Sequence, residues 1–235
     1  MRDPNDSLNK RPDKFARVRV LIFDLDGTLI DSKLDLALAV NAALRESGRR
    51  PLPDEQIFGY VGNGAPMLMQ LALGEGATEA ECKRGLEFFL SYYRAHMLDN
   101  TVTYPGVREG LAQLAEFPMA VLTNKPVRFS RAIVEGLGLG KYFRYVYGGN
   151  SFEKKKPDPM GTAVLLRDFG VAPREVMLVG DSEVDVLTAR NANTWCCGVT
   201  YGLGSARLAD NPPDLLVDSL TELPAYLNHR ASGEA

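Results

Sequence analysis

Cysteine and histidine are scarce in this 235-residue chain, which holds three of the first and two of the second. No spacing among them resembles a zinc site. The vicinal Cys196-Cys197 falls in an apolar run, Trp195 to Val199, that reads as a strand, so this pair is expected to be buried and reduced. An excess of positive charge is also missing. Lys and Arg number 27 against 30 Asp and Glu, for a net charge of -3, so no basic face is on offer to neutralise nucleic-acid phosphates. No apolar run is long enough to span a bilayer. Residues 1–17 are polar, without the apolar centre of a signal peptide or anchor. A cytoplasmic protein with no membrane and no nucleic-acid partner is the expectation.

What the chain does have is enough apolar material for a core: 45% hydrophobic residues against 24% charged. Its length fits one large domain, or a core with a smaller insertion. Residues 1–16, rich in Asp, Asn, Lys, Arg and Pro, read as a disordered tail, as do 229–235. Val18 to Phe23 then reads as a buried strand. Between Leu34 and Met97 the pattern turns helical, with Leu36, Val40 and Ala43-Leu44 on one face and Leu86, Phe89-Leu90, Tyr93 and Met97 on another. No strand stands out there, and the stretch 33–100 is expected to be a small helical unit. Past Tyr104-Pro105-Gly106-Val107, strand and helix signals alternate. Met119 to Thr123, Tyr145 to Tyr147, Val176 to Val179, Trp195 to Thr200 and Leu215 to Val217 read as strands. Arg128 to Leu137, Pro159 to Phe169 and a stretch ending at Ala192 read as helices. Such alternation predicts an α/β fold, with a parallel sheet covered by helices on both faces and its ligand at the carboxyl ends of the strands.

Polar signals stand at those ends. Asp24 and Asp26 follow the first strand, Thr123-Asn124 the second, Lys156 precedes the Pro159 helix, and Asp181 and Asp185 follow Val179. Parallel topology would bring all four groups to one rim. Alone, each has an ordinary reading: a polar strand end for Asp24 and Asp26, a strand-end hydroxyl for Thr123, one of three solvated lysines for Lys156, helix capping for Asp181 and Asp185.

Together they resemble the haloacid dehalogenase-like superfamily of phosphotransferases. Phe23 to Thr28 reads FDLDGT, Thr123 resembles the second motif, Lys156-Pro157 the third, and Gly180 to Asp185 the fourth, GDxxxD, all in the family's order. The resemblance implies a Rossmann-like core over 17–32 and 101–228, with 33–100 as an inserted α-helical cap. It implies Asp24 as nucleophile, forming an aspartyl-phosphate, and Asp26 as general acid and base. Mg²⁺ would be held by Asp24, the Asp26 backbone carbonyl and Asp181, with Asp185 bound through water or orienting the others. Thr123 would donate to a phosphoryl oxygen and Lys156 would offset its charge.

The cap segment Val61-Gly62-Asn63-Gly64-Ala65 and the string Thr123-Asn124-Lys125-Pro126 resemble phosphoglycolate phosphatases. Asn63, flanked by Gly62 and Gly64, would then offer backbone N–H groups to a small carboxylate; on turn chemistry alone the same residues make a helix-helix turn. Asn124 joins the expected substrate contacts. The substrate implied is a small phosphorylated metabolite, 2-phosphoglycolate first, acted on by a monomer or homodimer. A phosphosugar mutase on the same core, and a phosphatase for pyrophosphate or another small monoester, are the alternatives. The dehalogenase branch lacks the second aspartate, which Asp26 supplies here.

Overall fold

Runs of three to five mostly apolar residues are too short for stable helices and bury well as strands. In the computed structural model, which describes residues 14–227, they do so at β1 (Val20–Phe23), β4 (Met119–Leu122), β5 (Tyr145–Tyr147), β6 (Val176–Gly180), β7 (Trp195–Val199) and β8 (Leu215–Val217). These form one parallel sheet in the order β5-β4-β1-β6-β7-β8. Side chains alternate between its faces. Leu21, Phe23, Val121, Met177, Val179 and Cys197 join one apolar cluster. Val20, Ile22, Ala120, Leu122, Val176, Leu178 and Cys196 join the other. The vicinal cysteines thus point to opposite faces, both buried and free.

Helices cover both clusters. Leu111 of α5 (Val107–Gln113) and Ile133 and Val134 of α6 (Val127–Gly136) pack on the first. Leu165 of α7 (Met160–Phe169) and Val186 and Ala189 of α8 (Glu183–Asn191) pack on the second. A short α9 (Pro224–Leu227) ends the described chain.

Between β1 and β4 the chain forms α1 (Lys33–Glu46), α2 (Asp54–Phe58), α3 (Ala65–Leu73) and α4 (Glu79–His96), with α1 and α3 both packed against α4. Thr78 starts α4 with a capping box: its hydroxyl accepts from the Glu81 N–H, and the Glu81 carboxylate accepts from the Thr78 N–H at 2.8 Å. The two passages of chain joining these helices to the sheet are tied together. Ile30–Asp31 (β2) pairs antiparallel with Val102–Thr103 (β3). Asp35, buried at the start of α1, accepts from the Asn100 N–H, the Asn100 amide, the Thr101 N–H and the Thr101 hydroxyl at 2.7–3.1 Å.

The expected tail over residues 1–16 needs correction at its end. Phe15 is buried, edge-on to Trp195 at 5.3 Å, and Lys14 pairs with Asp214 at 3.1 Å. An aromatic ring in a polar segment was enough to dock it. The remainder of that expectation, and the one for 229–235, lie outside the described residues. Among the described residues no helix is long and apolar enough to cross a membrane.

Candidate active site

Three adjacent strands set the site. β1 lies between β4 and β6 in parallel register, Phe23 opposite both Val121 and Val179, so the residues leaving each strand emerge side by side. These are Asp24, Thr123 and Asp181. The Asp24 N–H still donates to the Val179 carbonyl (2.9 Å), fixing Asp24 as the last pinned residue before the chain turns. The turn needs Gly27. Its φ of +87° is left-handed, and a Cβ there would lie 2.3–2.7 Å from the Asp181 carboxylate.

Asp24, Asp181 and Asp185 are buried with carboxylate oxygens within 4.8 Å of one another. One lysine answers them. Lys156 Nζ lies 2.9 Å from Asp24 Oδ1 and 2.6 Å from Asp185 Oδ1. Lys154 and Lys155 are exposed, so of the three lysines only Lys156 enters the site. Asp181 accepts from the Thr28 hydroxyl (3.1 Å) and the Gly204 N–H (2.8 Å). Asp185 Oδ2 caps α8, accepting from the Ser182 N–H and hydroxyl.

Burial and crowding of like charge hold these carboxyls high. Burial pushes Asp24 up, Lys156 pulls it back and Asp185 pushes again, leaving it at about 6. Burial, then Asp185 and Asp24, push Asp181 up to about 8. Burial alone would lower the Lys156 ammonium, but Asp185 and Asp24 outweigh it and keep it charged. Three close carboxylates against one ammonium leave negative charge uncompensated, and their oxygens are the hard donors that Mg²⁺ takes. The residues present therefore fit a bound divalent cation.

The Asp26 carboxylate belongs to a different pairing. It accepts from Lys125 Nζ at 2.9 and 3.2 Å and from the Ser32 hydroxyl at 2.5 Å. Lys125 is buried, and Asp26 keeps its ammonium charged against the effect of burial. Lys125 and Ser32 are site residues that sequence reasoning did not select. Thr123 is buried, its hydroxyl accepting the Lys125 N–H at 3.2 Å.

An interior cavity of about 40 Å³ opens beside Asp24 and Asp26, lined by Thr123, Asn124 and Lys125 from the sheet side and by Gly62, Gly64, Leu68, Phe89 and Tyr93 from the helices. Asn124 Nδ2 donates to the Gly62 and Lys156 carbonyls, each at 3.1 Å. Gly64, at a φ of +83°, leaves only 3.1 Å between a would-be Cβ and the Asn124 carbonyl. Asn63 is exposed and does not line the cavity; its carbonyl accepts from Lys155 Nζ at 2.6 Å. The structure thus brings Asp24, Thr123, Lys156, Asp181 and Asp185 together with Asp26, Asn124, Gly62 and Gly64, and leaves Asn63 outside.

A strand that ends in a buried, lysine-paired aspartate beside a carboxylate cluster sets a potential nucleophile against a fixed positive charge, an arrangement suited to chemistry on an anionic substrate. The family model described as Haloacid dehalogenase-like hydrolase matches residues 21–199, and the chain belongs to that family. It is 41% identical to a phosphoglycolate phosphatase of Pseudomonas fluorescens (strain Pf0-1), over 87% of this chain and 78% of that one. It is 38% identical, with the same coverage, to phosphoglycolate phosphatase 1 of Pseudomonas aeruginosa. The crystal structure of a predicted phosphoglycolate phosphatase from Haemophilus somnus 129pt superposes with a TM-score of 0.84 at 32% identity, covering 88% of this chain and 96% of that one.

Proposed function

We propose that this chain is a Mg²⁺-dependent phosphatase that hydrolyses 2-phosphoglycolate through an aspartyl-phosphate on Asp24. The observation that carries the reading is Lys156 Nζ between Asp24 and Asp185, with Asp181 alongside. That arrangement holds a nucleophilic carboxylate next to a fixed positive charge, as attack on a phosphate dianion requires. The relatives' names supply the substrate. The cavity supports it, because it lies beside Asp24 and Asp26, is small, and is closed on the helical side by Gly62, Gly64, Leu68, Phe89 and Tyr93.

In the first step an Asp24 oxygen bonds to phosphorus while the bond to the glycolate oxygen breaks. Asp26 enters this step carrying a proton and gives it to that oxygen, which returns Asp26 to the carboxylate that Lys125 and Ser32 hold. In the second step water attacks phosphorus, Asp26 takes the water's proton, and Asp24 leaves as a carboxylate. Thr123 donates to a phosphoryl oxygen, and Lys156 offsets the phosphoryl charge throughout. Asp24, Asp181 and the Asp26 carbonyl would hold Mg²⁺, which supplies neutralisation of charge between nucleophile and phosphate. Asp185, with both oxygens already engaged, orients Lys156 and the α8 start beside it. Gly62 and Gly64 shape the cavity wall on the helical side, a cap over 33–100 that reads the non-phosphate part of the substrate.

Asp24→Asn tests the core of this. The amide is nearly isosteric and a poor nucleophile, so turnover should fall by about a thousandfold or more with the fold retained. Near-wild-type turnover by pure Asp24→Asn protein, or full wild-type activity in excess chelator, would overturn the mechanism.

A further inference from the structure

Phosphate recognition leaves two buried polar groups unused. Lys125 and Tyr93 both line the cavity beside Asp26, the first from the end of β4, the second from α4. Among the described residues lining that cavity, Lys125 is the only cation. An ammonium has three N–H donors. Asp26 takes two contacts, at 2.9 and 3.2 Å, and beyond them the ammonium has only the neighbouring Tyr93 beside it, so one N–H can turn to a ligand. Its position is well fixed, since its side chain is 4% exposed and its Nζ lies 4.6 Å from the Tyr93 ring centroid. Tyr93 is itself held rigid, stacked on Phe89 at 5.6 Å and edge-on to Phe129 at 5.5 Å. Yet its hydroxyl is buried with no hydrogen-bond partner of proper geometry. A buried donor left unpaired is costly, and a ligand that pairs with it recovers that cost. Burial also pushes the hydroxyl up to about 12, so it keeps its proton and is a donor.

We propose that Lys125 and Tyr93 form the receptor for the carboxylate of the substrate, making them the residues that select an acid-bearing phosphomonoester over a neutral one. The inference rests on the phosphatase reading above and adds to it the groups that choose the substrate. One carboxylate oxygen takes the spare Lys125 N–H and the other the Tyr93 O–H. The apolar surroundings, Leu68, Phe89 and Phe129, offer a neutral polar leaving group nothing in exchange for its water. Lys156 does not line this cavity; its ammonium sits between Asp24 and Asp185, where the phosphoryl group is to be met. The exposed Asn63 lies outside the cavity.

The test compares kcat/KM for 2-phosphoglycolate with that for ethyl phosphate, which has the same chain length and no carboxylate, in wild type, Lys125→Met and Tyr93→Phe. Any damage that Lys125→Met transmits through Asp26 slows both substrates and cancels in the ratio. The ratio should fall by about a hundredfold in Lys125→Met and about tenfold in Tyr93→Phe. Competitive inhibition by glycolate should weaken in step. Should Lys125→Met fail to fold, Tyr93→Phe and glycolate inhibition still decide. If wild type prefers 2-phosphoglycolate while both variants keep its ratio and its glycolate inhibition, this proposal fails and the substrate reading stands. If wild type shows no preference, the substrate reading fails and the receptor with it.

Discussion

Asp35 ties the two passages of chain between sheet and helices, and removing its carboxylate should loosen both. Four donors meet it: two from Asn100 and two from Thr101. Asn100 is exposed, so after Asp35→Ala its donors return to water at little cost. Thr101 is 4% exposed, and its N–H and hydroxyl would be left buried without an acceptor. Hydrogen bonds to charged groups contribute about 1.5–3 kcal/mol each. Two of them, discounted for non-additivity, give a loss of about 3–5 kcal/mol. In a protein of this size each kcal/mol moves Tm by about 2–4 °C, so a drop of about 6–20 °C is expected. Asp35→Asn keeps one acceptor oxygen but sets an N–H₂ group against donors, so it should fall between alanine and wild type. Reversible urea unfolding gives the free energy, and a thermal melt followed by circular dichroism gives Tm. A Tm for Asp35→Ala within 2 °C of wild type, on the scale where each kcal/mol moves Tm by about that much, would refute the reasoning.

If Mg²⁺ binds the carboxylate cluster as proposed, its binding is pH-dependent. Asp181, at about 8, and Asp24, at about 6, sit above the 3.8 of a free Asp, so the folded metal-free state binds more protons than the unfolded one. Its stability therefore falls as pH rises from about 4 to about 8, and Mg²⁺, which displaces those protons, should raise Tm more at pH 8 than at pH 5.5; an equal or larger rise at pH 5.5 would contradict the argument. Ca²⁺ should bind and fail to support turnover, because its longer bonds and higher coordination let it take both oxygens of the nucleophile, and full activity with Ca²⁺ would contradict that. Gly27→Ala should cost at least about 2 kcal/mol in urea unfolding and weaken Mg²⁺ binding in a calorimetric titration, because its methyl group meets the Asp181 carboxylate at a left-handed φ; unchanged Mg²⁺ affinity would show that the close approach has no bearing on the site.

What could be read in the sequence is what lies within one short segment. Val176–Gly180 and Met119–Leu122 are short apolar runs that end at polar residues, so their strands were legible, and so were the aspartates and threonine that follow them. The pairing of Ile30–Asp31 with Val102–Thr103 was not, because two residues per strand leave no periodicity. Helix α5 escaped for a similar reason, with only Val107, Gly110 and Leu111 buried. Phe15 sat in a segment whose composition averaged out as tail. Tyr93 was legible as part of an apolar helix face, which is correct for its ring and silent about its hydroxyl. Lys125 was the hardest case. Its string, Thr123 to Pro126, resembles phosphoglycolate phosphatases, but nothing in it gives the lysine a role, and its partner Asp26 lies 99 positions away.

Asn124 shows why the helices and the sheet cannot be treated as separate contributors. A side-chain amide has two N–H donors. One holds the Gly62 carbonyl on the helical side, and the other holds the Lys156 carbonyl, in the loop that carries the lysine proposed to meet the phosphate. Gly64 packs against the Asn124 backbone carbonyl in the same place, at a distance that leaves no room for a bulky side chain to turn there. If the helices swing away from the sheet, the bond to Gly62 breaks, and one of the restraints on the Asn124 amide goes with it. The Lys156 loop then depends on an amide anchored on one side only. One side chain therefore joins the helical side of the cavity to the loop that carries Lys156, through two bonds from the same nitrogen atom.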